Sequence, residues 1–284
     1  MKELTESYAL NAEEITARLR VGENFDVIRR DLRVGEEALT FFYIDGFTKD
    51  TETQRLMQYL LAEKKIGRAS ELLARLPYVE AEIVKTTDAA LTGVLSGQTF
   101  LLSSTFVGEG ILIDLRTYPS RGVCEPEGDK VMQGARDGFV ETLIVNTALL
   151  RRRIRDPRLT MAHFNLGGAS KTDIVVCYLA GVADGEKVAA IEKKIRAVRP
   201  KSLTLGTQSL AECLIRTRWC NPFPKIRTTE RPDTAAAQVA EGSILIFCDT
   251  SPQAMILPTS IFDYLQQTDD YYFPPFTGTY LRIV

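Results

Sequence analysis

The sequence contains few of the residues that metal centres and nucleophilic catalysis require. His163 is the only histidine, and no CxxC spacing occurs among the five cysteines, which are Cys124, Cys177, Cys213, Cys220 and Cys248. An odd number of cysteines without paired spacing argues against a disulfide framework or a zinc site. Ser-His-Asp or Cys-His catalysis would have to use His163, and no GxSxG motif accompanies it. The residue types therefore predict no catalytic constellation, no metal and no cofactor, with His163 as a packing residue in a strand.

The sequence also lacks an excess of charge of either sign and any long apolar run. Its 35 basic and 37 acidic residues give a net charge of −2 and an isoelectric point near 5.7. Such a balance provides no overall field for a nucleic acid. No apolar run approaches the roughly 20 residues of a membrane-spanning helix, and no signal-peptide core follows Met1. We therefore expect a soluble chain that begins in a reducing cytosol and binds no nucleic acid.

Two glycine-containing stretches resemble phosphate-binding motifs incompletely. The stretch GGASKT, residues 167–172, lacks a glycine before Lys171 and leads into an apolar strand, where a phosphate-binding loop would lead into a helix. VGEG, residues 107–110, is typical of a turn between strands. The acidic residues around 114–129 leave carboxylate-pair hydrolysis open, although a solvated loop is the simpler interpretation.

With 284 residues, the chain is long enough for two cores, and a repeated pattern supports two lobes. Residues 38–61 resemble residues 172–195: an apolar strand leads through Gly46 or Gly181 into a helical pattern. Residues 87–113 resemble residues 232–258, each with an aspartate at a helix start and a glycine nine residues later. We predict two related α/β lobes from an internal duplication. The alternative is that two α/β units share a common pattern.

Between the repeats, residues 129–154 show the periodicity of a long amphipathic helix. Its apolar stripe consists of Met132, Ala135, Phe139, Leu143, Leu150 and Ile154. Gly134 and Gly138 fall on one face and suggest close helix packing, and Pro157 ends the helix. The predicted organisation is a first lobe at 1–122, a connecting helix at 123–158, a second lobe at 159–262 and a tail at 263–284.

The predicted end of this helix carries five arginines within eight residues. They are Arg151, Arg152, Arg153, Arg155 and Arg158. Cations at a helix C-terminus complement its dipole, but one or two would suffice. Because arginine binds carboxylates through two parallel hydrogen bonds, we favour an interface between lobes or subunits. An anion or lipid-headgroup site and a solvated helix end remain the alternatives.

Several long stretches resemble the GerA-type A subunits of spore germination receptors. The resemblance is carried by residues 116–161, by SKTDIVVCYLAGVAD, by NPFPKIRTTERPDTAAAQVAEGSILIFCDTSP and by MILPTSIFDY. The stretch FFYIDGFTKD is most similar to the SpoVAF-like branch. The similarity runs from about residue 25 to the end and is weakest at residues 60–80 and 196–215.

The resemblance implies a soluble, non-enzymatic N-terminal region of two α/β lobes, followed in the family by a bundle of membrane helices. It places the protein in the inner membrane of the spore, with this region facing the core. It further implies a homo-oligomer that acts in germination as part of an ion-channel complex with other subunits. The tail at 263–284 would lead to that membrane domain. We thus expect a regulatory and assembly domain; the alternative is a module that binds a small germinant between its lobes.

Overall fold

The computed structural model describes residues 2–77, 80–118, 137–200, 203, 206–214 and 226–259. The chain divides into two compact units, Met1–Pro119 with Arg155–Arg158 and Ser120–Ile154 with Leu159–Val284. Each unit contains one five-stranded antiparallel sheet and four helices among the described residues. Two α/β units are therefore present, as the repeated sequence pattern predicts.

The first unit is built on a sheet whose strands lie in the order β1-β2-β4-β5-β3. Its elements are α1 (Tyr8–Arg18), β1 (Val27–Val34), β2 (Glu37–Ile44), α2 (Asp50–Ala62), α3 (Ala69–Arg75), β3 (Ala81–Val84), α4 (Thr87–Leu95), β4 (Thr99–Ser103) and β5 (Gly110–Ile113). The central strand β4 is buried along its whole length, because helices cover both faces of the sheet. Leu56, Leu60 and Leu72 of α2 and α3 pack on one face. On the other face Gly93 of α4 lies so close to Leu112 that a Cβ there would sit 2.5 Å from the Leu112 side chain.

The second unit repeats this arrangement with the strand order β6-β7-β9-β10-β8. Its elements are α5 (Leu143–Arg153), β6 (Leu159–Leu166), β7 (Thr172–Leu179), α6 (Gly185–Ala197), α7 (Thr207–Leu214), β8 (Arg227–Thr229), α8 (Pro232–Ala240), β9 (Ile244–Cys248) and β10 (Ala254–Leu257). Val188, Ile195 and Leu210 of α6 and α7 pack on one face of the sheet. The sequence of helices and strands is the same as in the first unit.

The two sheets also agree in register. Leu39 of β2 pairs with Ser103 of β4, and the residues at the matching positions, Ile174 and Cys248, pair in the second sheet. After α4 and α8 the chain turns at Gly97 and Gly242, whose φ angles are +98° and +97°. Only glycine adopts this left-handed conformation readily, which is why the two glycines recur. Strand order and register thus confirm the internal likeness that the sequence predicts.

The long connecting helix is a wrong prediction. Residues 129–136 lie outside the described residues, residues 137–142 are not helical, and the helix begins only at Leu143. The segment before it is held by tertiary contacts: the Phe139 N–H donates to the Glu230 carbonyl at 2.8 Å, and the Phe139 ring meets Phe247 edge to face. Helix α5 therefore belongs to the second unit, where it takes the place that α1 has in the first.

Asn146 gives the physical reason for the late start of α5. Its side-chain oxygen accepts a hydrogen bond from the Val140 N–H at 2.7 Å, and its amide donates to the Val140 carbonyl at 2.5 Å. In the first unit Asn11 binds Thr5 in the same way, at 2.9 and 2.7 Å. Both groups of Val140 are thus satisfied outside a helix. The predicted packing role of Gly138 is wrong as well, since it lies in this non-helical segment, and Gly134 lies outside the described residues.

Candidate functional site

The arginine-rich segment is divided between the two units. Arg151, Arg152 and Arg153 form the last turn of α5 in the second unit, while Arg155 and Arg158 belong to the first. Arg152, Arg155 and Arg158 are exposed, Arg153 is half-buried, and Arg151 is completely buried. The sequence run therefore does not form a single basic patch within either unit.

Two of the five arginines, Arg151 and Arg153, bind groups of the second unit around the end of α5. Arg151 donates from Nη1 to the Leu159 carbonyl at the start of β6, at 3.1 Å. Arg153 donates from Nη2 to both carboxylate oxygens of Asp137, at 2.6 Å each. Charge-assisted hydrogen bonds of this kind are among the stronger polar contacts in proteins. Arg151 and Arg153 therefore fasten the end of α5 to its surroundings.

The exposed part of the segment contains a local ion pair. Arg158 binds Asp156 through Nη2 at 2.7 Å, and the Arg158 backbone N–H donates to the same carboxylate at 2.8 Å. The hydrogen bond from the Arg158 side chain lowers the pKa of Asp156 below its usual value. Arg152, Arg155 and Arg158 are the members of the predicted site that are exposed to solvent.

A further arginine, which the sequence analysis does not single out, is buried beside this region. Arg231 is 1% exposed and donates from Nε and Nη2 to Asp233 in the first turn of α8, at 3.0 and 2.5 Å. Burial acts to raise the pKa of Asp233, but hydrogen bonds from Arg231 and the Thr234 N–H, with the charges of Arg231 and Arg153, lower it. The carboxylate is therefore held ionised between two arginines.

The first unit contains an exposed counterpart of this network. Arg18, which lies at the end of α1 as Arg153 lies at the end of α5, donates to Asp88 at 2.9 Å. The hydrogen bond from Arg18 lowers the pKa of Asp88, the matching residue of α4. In both units an arginine at the end of the first helix thus interacts with the aspartate that begins the fourth. The shared arrangement indicates a structural role, and the second unit adds the buried Arg231 to it.

The other motifs of the sequence analysis occupy turns and strands. GGASKT connects β6 to β7 and VGEG leads into β5, as predicted, and residues 249–253 connect β9 to β10. Asp249 in the last of these turns accepts a hydrogen bond from the Leu143 N–H at 3.2 Å, so the turn anchors the start of α5. Cys177 and Cys248 are buried, and burial raises the pKa of the Cys248 thiol to about 12. Among the residues described, no group of histidine, cysteine and acidic side chains is arranged to hold a metal.

His163 lies in strand β6 as predicted, but it is not a packing residue. Its side chain is 40% exposed and its Nε2 lies 3.0 Å from Asp173 Oδ1 on the adjacent strand. We expect His163→Ala to change the free energy of unfolding by less than about 0.5 kcal/mol, because exposed pairs contribute little. Urea denaturation followed by circular dichroism measures this, with the buried neighbour Met161→Ala as a clearly destabilised control. A loss of stability in His163→Ala as large as in the control would contradict the exposed position.

Comparison with known proteins shows which family the sequence matches. The family model described as "Bacillus/Clostridium GerA spore germination protein" matches residues 14–284. The chain is 38% identical over 281 residues to stage V sporulation protein AF of Bacillus subtilis, covering 97% of this chain and 57% of that protein. It is 32% identical to spore germination protein B1 and 29% identical to the uncharacterized membrane protein YfkQ of the same organism, covering 90% and 87% of this chain. It spans 54% and 48% of these two relatives, so the shared region is about half of each.

The fold is similar to that of a solved structure. It is the crystal structure of the N-terminal domain of the A subunit of the Bacillus megaterium spore germinant receptor GerK3. The TM-score is 0.66 with 24% sequence identity, covering 92% of this chain and 98% of the other. At this identity the likeness concerns the fold. In the described part of this chain, no helix has the length and apolar character needed to cross a membrane.

Proposed function

Because this chain belongs to the GerA family of spore germination proteins, we propose that it is the N-terminal regulatory and assembly domain of a membrane protein that acts in spore germination. The receptor subunits of this family are non-enzymatic. The observation that carries the proposal is the family match over residues 14–284, in a chain that spans only about half of its relatives. The likeness in fold to an N-terminal domain supports the same assignment.

We further propose that the whole protein lies in the inner membrane of the spore, with this domain on the core side. A relative is named as a membrane protein, and the described part of this chain provides no spanning helix. The membrane domain would follow the tail at 263–284. Other subunits of the germination complex and further copies of the same protein are the proposed partners. This domain would regulate and assemble a complex that conducts ions.

The exposed arginines provide the proposed assembly surface of each unit. Arg152 in the second unit faces solvent, as do Arg155 and Arg158 in the first. Charged residues at the rim of an interface steer partners and fix orientation, so reversing their charge opposes association. In the full-length protein, changing all three to Glu should reduce the co-purification of partner subunits from spore membranes about fivefold or more. Spores with this variant should germinate slowly.

The matched control is a triple reversal elsewhere on the same domain. Arg30, Arg33 and Lys193 are also exposed, and changing them to Glu alters the net charge equally. Recovery of partners should then stay near the wild-type level, and circular dichroism of both variants should match the wild type. Equal loss in both triples would point to total charge, and normal recovery in the first would refute the assembly surface. A rise in melting temperature with an amino acid, sugar, nucleoside or ion would support the alternative, a germinant-binding module.

A further inference from the structure

The two units differ in how the ends of two corresponding helix pairs are held, α2 with α3 in the first unit and α6 with α7 in the second. In the first unit the ends of α2 and α3 are tied together: the Tyr59 hydroxyl donates to the Arg75 carbonyl at 3.0 Å, and Arg75 pairs with Glu63 at 2.8 Å. The positions that match Tyr59 and Glu63 in the second unit are Lys194 and Val198. These two residues cannot form the same contacts. The ends of the corresponding helices α6 and α7 are therefore not joined by these contacts.

The second unit has a groove of about 840 Å³ between the ends of α6 and α7. One wall is formed by α6, and Cys213 and Leu214 at the end of α7 form the other, with Leu257 and Thr259 after β10 at one end. The lining is mainly apolar, through residues such as Ile191, Val198 and Leu257. Lys187 and Lys194, two turns apart, add positive charge along the same face of α6, and Lys187 also pairs with Asp184 at 3.2 Å. The groove thus suits a segment that is apolar or aromatic and also acidic.

The chain itself leaves the described region at this groove. Thr259 is held at its rim, where its hydroxyl accepts a hydrogen bond from the Arg227 N–H at 3.2 Å and donates to the Ile256 carbonyl at 2.9 Å. Residues 260–284 follow, outside the described residues, and begin with SIFDYL. This stretch places four large apolar or aromatic residues around one acid, Asp263. At about 3.3–3.6 Å per residue, residues 261–265 are within reach of a groove whose rim is Thr259.

We propose that residues 261–265 bind in the groove between α6 and α7 of the same chain, with Asp263 facing Lys194. The tether keeps this segment at a high effective concentration near its site, so modest contacts are enough for binding. Binding there would fix the start of the tail on the second unit. The inference does not depend on the proposed assembly role, because it concerns contacts within one chain.

Cross-linking tests the position of the segment directly. A photoreactive benzoylphenylalanine placed at position 262 of the full 284-residue chain should, on irradiation, attach to residues of α6 or α7 that line the groove. Mass spectrometry of an equal mixture of isotopically light and heavy chains identifies the copy that is captured. Light–light and heavy–heavy products at the groove support the proposal. Light–heavy products, which would mean exchange between copies, or attachment elsewhere overturn it.

Labelling of Cys213 provides a second, independent readout. Cys213 is exposed in the described structure and lines the groove, whereas Cys177 and Cys248 are buried. In a background with Cys124→Ser and Cys220→Ser, a covering segment should slow the reaction of Cys213 with a thiol reagent. The pair Phe262→Ser and Tyr264→Ser should then raise the labelling rate about fivefold or more, as the tethered contact is lost. The matched pair Tyr271→Ser and Phe273→Ser, farther along the tail, should leave the rate unchanged.

A charge exchange completes the test. Lys194→Glu should accelerate labelling of Cys213, and adding Asp263→Lys should restore slow labelling, because the two charges are then opposite again. Circular dichroism on each variant checks that the domain stays folded. Equal labelling rates in all these variants would show that the groove is open to solvent and would refute the proposal.

Discussion

Replacing Arg231 by methionine should lower the free energy of unfolding by about 3 kcal/mol, because the change leaves a partly buried carboxylate without its main partner. Arg231 is 1% exposed and holds Asp233 through two hydrogen bonds at the start of α8. Methionine keeps much of the apolar volume, so the loss of charge dominates the result. Urea denaturation followed by circular dichroism measures the change.

The double variant Arg231→Met with Asp233→Asn separates the ion pair from the packing. Removing both charges should recover a large part of the lost stability, since the unpaired carboxylate is then absent. The matched control is Arg18→Met in the first unit, where the corresponding pair is 40% and 39% exposed. We expect almost no change there, because water solvates the remaining carboxylate. A loss in the control as large as in Arg231→Met would show that burial does not decide the outcome.

The same pair predicts a pH dependence. Burial raises the pKa of Asp233, but Arg231, the Thr234 N–H and Arg153 together hold it below the ordinary value near 3.8. Because the folded pKa is lower than the unfolded one, the stabilisation is complete above the ordinary value and disappears as the pH falls through the lowered one. The stability advantage of the wild type over Asp233→Asn should therefore shrink as the pH falls below about 4. An advantage that persists at lower pH would contradict the assignment.

The fold was largely predictable because its strongest determinants are local. Short stretches of sequence determine the apolar strands before Gly46 and Gly181. They also determine the helices that are followed by Gly97 and Gly242. Their recurrence in the same order predicts two related units without any knowledge of tertiary contacts. Strand order, by contrast, depends on pairings between distant residues, and the sequence pattern alone does not determine it.

The candidate site was less predictable because burial is a tertiary property. Arg151 and Arg152 are adjacent in sequence, yet one is completely buried and the other is exposed. The run of arginines indicates a basic surface, while the structure uses two of the five to fasten α5 within its unit. Nothing in the sequence distinguishes Arg231 except its place before Pro232. Comparison of the two units does distinguish it, because a large cation stands at the start of α8 where Thr86 stands at the start of α4.

The start of α5 illustrates how a single side chain overrides a helical pattern. Residues 129–154 have helical periodicity, but Asn146 binds both backbone groups of Val140 in a segment that is not helical. An Asn at this place competes with the helix for the backbone hydrogen bonds. The sequence repeat contains a sign of this competition, because Asn11 occupies the position in the first unit that Asn146 occupies in the second. Each asparagine lies six residues after the residue whose backbone it binds.

Asn146→Ala should consequently lower the free energy of unfolding by about 2 kcal/mol and release the segment before α5. The side chain is fully buried, and its loss leaves the Val140 N–H without its acceptor and the Val140 carbonyl without its donor. Amide hydrogen exchange should show faster exchange at Phe139 and Val140, with helices α6 and α7 unaffected. Urea denaturation gives the overall loss.

Two other asparagines serve as controls for this prediction. Asn11→Ala should produce the same effect in the first unit, confined to Leu4 and Thr5, while the exposed Asn165→Ala should have little effect on stability. Unchanged exchange at Val140 in Asn146→Ala would mean that the Phe139 contacts hold the segment by themselves. If residues 137–142 of the variant instead gain helical chemical shifts, the local preference for a helix is real, and the hydrogen bonds of Asn146 are what suppress it in the native protein.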